Sequence, residues 1–238
     1  MKQLPFLRLL FFISFYHICI DTKAQAPEIL WEHGYGGNND DRAEKVIETP
    51  DGGFLTVGYS NSTDGDIEIT HGLNEFLVVK SDVAGNLEWS KNFGGSNGDY
   101  GYGVCNGLNG GYVLVGKTNS IDGDINFYHG DYDCWVIKID SVGNIEWEKT
   151  FGGSMDDASF DIIQTSDGNY LLNAGTASHD GDITELHGID KADFWLVKLN
   201  PEGDILWEKT YGSTSDEVSY SIIETRNGDF VAAGYTTG

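Results

Sequence analysis

The side chains best suited to chemistry in this 238-residue chain are carboxylates and imidazoles, and they recur at fixed intervals. Asp-Gly-Asp-Ile stands at 64–67, 122–125 and 180–183, and His-Gly at 71–72, 129–130 and 187–188. The acidic pairs Asp40-Asp41, Asp156-Asp157 and Asp216-Glu217 keep the same phase. Carboxylates two residues apart, helped by loop carbonyls, suit a hard divalent cation, so Asp64 with Asp66, Asp122 with Asp124, and Asp180 with Asp182 are candidate calcium ligands. The competing reading is that each Asp-Gly makes an Asx-type turn, repeated because the fold repeats. No loop carries the roughly six to eight oxygens and closing glutamate of a dedicated calcium loop.

His71, His129 and His187 invite the idea of a metal ring. Equivalent residues of successive repeats stand far apart unless they point down a common axis, so each histidine is expected to brace its own loop. No Gly-x-Ser-x-Gly elbow, His-Glu-x-x-His pair or phosphate-binding glycine loop is present. Paired carboxylates are so numerous that none singles itself out as a general acid and base.

These residues sit on a repeat. Trp31, Trp89, Trp147 and Trp207 are spaced 58, 58 and 60 apart. The text around them recurs as Glu-Trp-Ser-Lys-Asn-Phe-Gly-Gly (88–95), Glu-Trp-Glu-Lys-Thr-Phe-Gly-Gly (146–153) and Leu-Trp-Glu-Lys-Thr-Tyr-Gly (206–212). The two extra residues of the third unit fall between His187-Gly188 and Asp193-Phe194-Trp195, where they lengthen a loop. Such self-similarity marks a repeat architecture.

Each unit reads as four strands. The first holds Val46-Ile47, Val104-Cys105, Ile162-Ile163 or Ile222-Ile223, adjacent apolar residues that predict burial on both faces. Asp51-Gly52, Asn109-Gly110, Asp167-Gly168 or Asn227-Gly228 then turns into the second strand. The third contains Phe76-Leu77-Val78-Val79, Cys134-Trp135-Val136-Ile137 or Phe194-Trp195-Leu196-Val197, and Gly85, Gly143 or Gly203 leads into the fourth. The fourth alternates, with Leu87, Trp89 and Phe93 opposite Glu88, Ser90 and Asn92, as a half-exposed strand does. Burial is therefore predicted to fall from strand one to strand four, the gradient of a propeller blade packed at its axis.

The expected fold is all-β: consecutive four-stranded antiparallel blades of a β-propeller, forming an incomplete ring. One fourth-type strand near Ile29–Tyr35, three blades and a final two-stranded hairpin give 15 strands in an open arc. Strand direction puts the 2-to-3 connections and the 4-to-1 crossovers on one loop-rich face, with the glycine turns on the other.

The N-terminus reads as an export signal. Lys2 and Arg8 precede an apolar run from Leu9 to Ile20, and Ala24 offers a cleavage site. That run is too short to span a bilayer, which takes roughly 20 residues. Tyr16-His17-Ile18 are too bulky for the lipoprotein box that would make Cys19 an anchor. The expected domains are a signal peptide over 1–24 and a repeat domain over 25–238, with no transmembrane segment in the mature chain. The whole chain carries 14 Lys+Arg against 38 Asp+Glu; cleavage would leave 11 against 37. Such a charge repels nucleic acid and anionic lipid and favours solubility.

Blades written Phe151-Gly152-Gly153-Ser154, Asp156-Asp157, Ile162-Ile163-Gln164-Thr165, Asp167-Gly168 and Asp180-Gly181-Asp182 resemble the roughly 60-residue propeller repeat of exported bacterial surface proteins, many carried by the type IX secretion system. The resemblance covers residues 28–238 and implies the fold and an extracellular or cell-surface location, with the periplasm as alternative. It implies no ligand. Members often end in a C-terminal sorting domain, whereas this sequence stops at Thr237-Gly238 inside a repeat. Asp140-Ser141-Val142-Gly143-Asn144-Ile145-Glu146-Trp147 is similar to the hairpin of quinone-dependent dehydrogenase propellers and to the aspartate box of sialidases, but any hairpin needing a glycine turn and a buried indole converges on such text.

The functional expectation is a binding or structural module that meets a glycan or a protein at its loop-rich face. A propeller enzyme acting on polysaccharide, or of quinone-dependent type, is the alternative. Trp89, Trp147 and Trp207 are expected between sheets, each costing roughly 3–5 kcal/mol on truncation if fully buried. Cys105 and Cys134, on strands one and three of one blade, are expected to stay unbonded, since two strand spacings put them about 9–10 Å apart.

Overall fold

In a computed structural model, residues 28–67, 71–188 and 191–238 are described. The proposed signal peptide lies outside the described residues. Among the described residues, fourteen strands form three four-stranded sheets and one two-stranded sheet. The first sheet comprises β1 (Asp41–Glu48), β2 (Phe54–Ser60), β3 (Glu75–Ser81) and β4 (Leu87–Phe93). The second comprises β5 (Asp99–Asn106), β6 (Tyr112–Thr118), β7 (Asp133–Ile139) and β8 (Ile145–Phe151). The third comprises β9 (Asp157–Gln164), β10 (Tyr170–Thr176), β11 (Asp193–Leu199) and β12 (Ile205–Tyr211). The fourth pairs β13 (Glu217–Glu224) with β14 (Phe230–Thr236). All neighbours within a sheet are antiparallel and follow chain order, so each sheet is a meander of the kind that makes a propeller blade. The only helical piece among the described residues is a 3₁₀ turn at Leu108–Gly110, and no helix is long and apolar enough to cross a membrane.

The strands follow from local chemistry. Val, Ile, Tyr, Phe and Thr dominate them, and glycines with φ near +80° close the turns. In three of the four first turns only the glycine takes positive φ; at Asn109-Gly110 both residues do, with φ of 64° and 87°.

The blades interlock through an indole and a glycine. Gly143 has φ of 85°, and a Cβ there would stand 3.2 Å from the Trp89 ring; at Gly203, φ is 80° and Trp147 would be 2.9 Å away. Trp31 meets Gly85 in the same manner. Residues 31–35 thus stand where a fourth strand would stand against the first blade, but they form no ladder, which corrects the expected strand near Ile29–Tyr35 and the count of 15. Asp40 is the last residue before a ladder begins.

The burial gradient also differs from expectation. Strands two and three are the buried ones: β7 and β10 are buried throughout, and Trp135 and Trp195 are fully enclosed. Their indole N–H groups donate to Glu148 Oε2 at 3.0 Å and Glu208 Oε2 at 2.8 Å. First strands are only half-buried: Val104, Ile162 and Ile222 are enclosed, but Val46 is 58% exposed and Ile223 57%. The reason is packing. Middle strands have a strand on each edge and packed side chains on both faces, while first strands border an open groove. Trp89 and Trp147 are half-buried between sheets, and Trp207 is 39% exposed because no following glycine turn covers it among the described residues.

Both described thiols are free. Cys105 lies on β5 and Cys134 on β7, with β6 between them. Burial pushes the Cys105 thiol up to about 12, and that of Cys134 well up too, so neither is a ready nucleophile.

Candidate functional site

The recurring aspartates fasten loops. Asp66, Asp124 and Asp182 accept the amide N–H of Gly36, Gly94 and Gly152 at 3.1, 3.0 and 3.1 Å. Asp64, Asp122 and Asp180 accept the N–H of Asn38, Ser96 and Ser154 at 2.8, 2.7 and 2.7 Å. Each pair therefore ties the 2-to-3 connection of its blade to the crossover that enters that blade, and satisfies amides that no ladder serves. Amide donation from Ser154 holds the Asp180 carboxyl below its usual range. The fold keeps the three pairs in three separate blades. Among the described residues, no group of three or more His, Cys, Asp or Glu side chains converges as a metal site.

His129 Nε2 lies 3.7 Å from Asp182 of the next blade, and each of the three repeated histidines is tied to the acid at the end of its own loop. The ring Nδ1 lies 3.1 Å from Glu75 (His71), 3.3 Å from Asp133 (His129) or 2.7 Å from Asp193 (His187). These acids open strand three, and each backs onto the acid that opens the next blade. A Cβ on Gly152 would stand 2.5 Å from Asp157 and 2.9 Å from Asp133; Gly94 is placed likewise between Asp99 and Glu75, and Gly212 between Glu217 and Asp193. Asp157 also accepts from the Gly153 amide and Ser178 hydroxyl, both at 2.8 Å. Its other oxygen, like one of Asp133 and one of Asp193, has no partner. Burial raises the Asp157 carboxyl to about 6, and burial also raises Asp99 and Asp133. The adjacent acids seen in sequence thus part company: Asp157 is enclosed while Asp156 faces solvent.

The feature that sequence reading missed lies between the blades. First strands β1, β5, β9 and β13 stand side by side around a groove lined by Lys45, Val104, Asp161 and Ile222. Lys45 Nζ crosses it to Asp161 Oδ1 at 3.2 Å. Towards the loop-rich end, aromatic rings run from blade to blade. Tyr59 meets Tyr100 at 4.9 Å, Tyr100 stacks on Tyr102 at 6.4 Å, Tyr102 meets Phe160 at 5.6 Å, and Phe160 meets Tyr220 at 5.3 Å. Tyr132 flanks Tyr100 at 6.1 Å, with Lys117 Nζ 4.0 Å above the Tyr132 ring. Burial lowers the Lys117 ammonium. A cavity of about 290 Å³ opens here, lined by Lys117, Tyr132, Asp156, Phe160 and Asp216. The signal was available: Tyr102, Phe160 and Tyr220 share one register position of the repeat, 58 and 60 residues apart.

No protein-family model matches the chain, and no curated protein does. Among solved structures, one that is similar is a protein of unknown function from Bacteroides caccae, at 12% identity and a TM-score of 0.48. The match covers 87% of this chain and 57% of that one, so the chain spans little more than half the length of that neighbour.

Proposed function

We propose that this protein is an exported binding module that takes its ligand, a glycan or a protein segment, at the loop-rich mouth of the groove between first strands. The observation that carries the reading is the aromatic row. Tyr102, Phe160 and Tyr220 come from three successive blades, belong to no blade-to-blade Trp–Gly contact, and leave Tyr220 54% exposed. Aromatic rings at a groove mouth supply large, rigid contact area for a bound group. The near-identity of the blades supports a binding role over catalysis, because an active site in a repeat protein needs one blade to break the pattern. The leader over 1–24 and the acidic composition support export, and the repeat resemblance suggests the type IX route.

The test is a glycan and peptide array probed with the mature chain, with and without calcium, alongside a Phe160→Ala, Tyr220→Ala double variant. Binding that the double variant loses by at least about tenfold is expected. Binding that it leaves intact would move the site elsewhere. A calcium requirement would turn attention to the Asp64, Asp122 and Asp180 loops. Export is checked by expressing the full chain with its own leader and sequencing the secreted N-terminus, expected at Gln25.

A further inference from the structure

We infer that the mouth of the groove binds an organic cation of the ammonium class through Glu44, Tyr102, Phe160 and Tyr220. This rests on the reading of the mouth as the ligand site and names the chemistry that it selects. The four residues hold one register position on β1, β5, β9 and β13, and with Lys45 and Ser221 they line an open cavity of about 390 Å³. That size falls within the roughly 300–1,000 Å³ of small-molecule sites.

Geometry favours a compact group. The Phe160 and Tyr220 rings meet with planes 74° apart, and Tyr102 stands on the other side of Phe160 with planes 30° apart. An edge-to-face pair leaves a corner between the flank of one ring and the face of the other that fits one rounded group, whereas a pyranose asks for one broad flat platform. The faces carry the negative end of the ring quadrupole and attract cations.

Charge selects the same class. Lys45, the one basic side chain lining the cavity, has its ammonium committed to Asp161. Glu44 is exposed and makes no ion pair among the described residues, so the wall keeps an uncompensated carboxylate. Neighbouring rings already hold the protein's own cations: Arg42 lies 5.6 Å from the Tyr59 centroid, and Lys117 lies 5.5 and 4.0 Å from those of Tyr100 and Tyr132. Tyr102, Phe160 and Tyr220 have no such cation from the described residues. The row thus passes from rings covered by the chain's own cations to rings left for a ligand.

The experiment is calorimetric titration of the full chain with choline and with its uncharged tert-butyl analogue. Choline is expected to bind saturably and at least about tenfold tighter than the analogue, since only the charge differs. Phe160→Leu, which keeps apolar bulk but removes the π face, should weaken choline by about tenfold, and Glu44→Gln should weaken it and flatten its salt dependence. Circular dichroism of each variant controls for folding. Equal affinity for the two probes, no saturation at millimolar choline, or indifference to both substitutions overturns the inference. If choline fails while an array ligand still depends on Phe160 and Tyr220, only the ammonium assignment falls. If the array ligand is indifferent to those rings too, the site reading falls with it.

Discussion

Trp147 and Trp207 sit in nearly the same text, Trp-Glu-Lys-Thr followed by Phe151 or Tyr211, yet they live in different surroundings. Trp147 packs on Gly203 of the next blade and donates its indole N–H to Pro201 O at 3.3 Å. Trp207 lies beside Phe194, Leu196 and Phe230 at the rim of an open cavity of about 450 Å³, with no glycine turn above it among the described residues. The same strand is therefore half-buried in one place and largely open in the other. Burial in this fold is a property of the pair of blades, and the single repeat supplies only half of it.

The sharpest way to break that comparison is through glycines. Gly203→Ala combines a strained positive φ with a clash against the Trp147 ring and should cost about 3 kcal/mol in chemical denaturation. Gly228→Ala, at φ of 83° but with nothing within 4 Å, should cost only about 1 kcal/mol. Equal costs would mean that the blade contact contributes nothing. The indoles themselves come next. Trp147→Ala should cost about 2–3 kcal/mol and Trp207→Ala under about 1 kcal/mol by the same measurement. If Trp207 proves as costly, its exposed rim is covered in solution.

The acids that open strand one extend the contrast to pH. Burial raises Asp157 to about 6, so its contribution is fully present below the ordinary aspartate value of 3.8 and is lost as pH rises through about 6. Its equivalent Glu217 is held down by hydrogen bonds from Ser213, so its contribution is present above 4.5 and lost as pH falls through its lowered value. Across that upper window Asp157→Asn should remove a fall in stability on the order of 2 kcal/mol, measured by denaturation from pH 4 to pH 7. Glu217→Gln should leave the fall between about pH 5.5 and 7 unchanged, because its own contribution changes only near and below 4.5. A wild-type stability flat between pH 4 and 7, or a slope undiminished in Asp157→Asn, would place the titrating group elsewhere, whereas Asp99 and Asp133, also raised by burial, account for a smaller residual slope.

The smallest effect concerns the buried strand-three lysines. Lys80 pairs with Asp51 at 3.0 Å and Glu88 at 2.7 Å, and Lys198 with Asp167 at 3.1 Å. Lys138 pairs with Glu146, and its blade carries Asn109 at the turn position where the other two four-stranded blades carry Asp51 and Asp167. Both Asp51 and Asp167 are held well below the usual carboxylate range, first by the hydroxyls of Thr49 and Thr165. Because the aspartates are themselves exposed, Asp51→Asn should cost only about 0.5–1 kcal/mol, and Asn109→Asp should stabilise by no more than that. A larger change on either side would show that the turn geometry, rather than the ion pair, sets the balance.

Much of this was legible in the residues. Period, strand count per blade, turn positions and the separation of Cys105 from Cys134 all follow from local propensity and spacing, which act over a few residues and repeat whenever the text repeats. The repeat also revealed that Asp64, Asp66 and their equivalents matter, though not that backbone amides of the preceding crossover are what they hold. Which strands are most buried, that Asp157 turns inward while Asp156 turns out, and that residues 31–35 cap the first blade without joining a sheet depend on neighbours about 20 to 60 residues away. The aromatic row is the clearest case. Tyr102, Phe160 and Tyr220 each sit at the bulge of a first strand, where the ladder skips one residue, and become a continuous surface only when first strands from successive blades are set side by side. Side-chain contacts across blades are non-local, so no window of sequence shorter than a full repeat contains both of their ends.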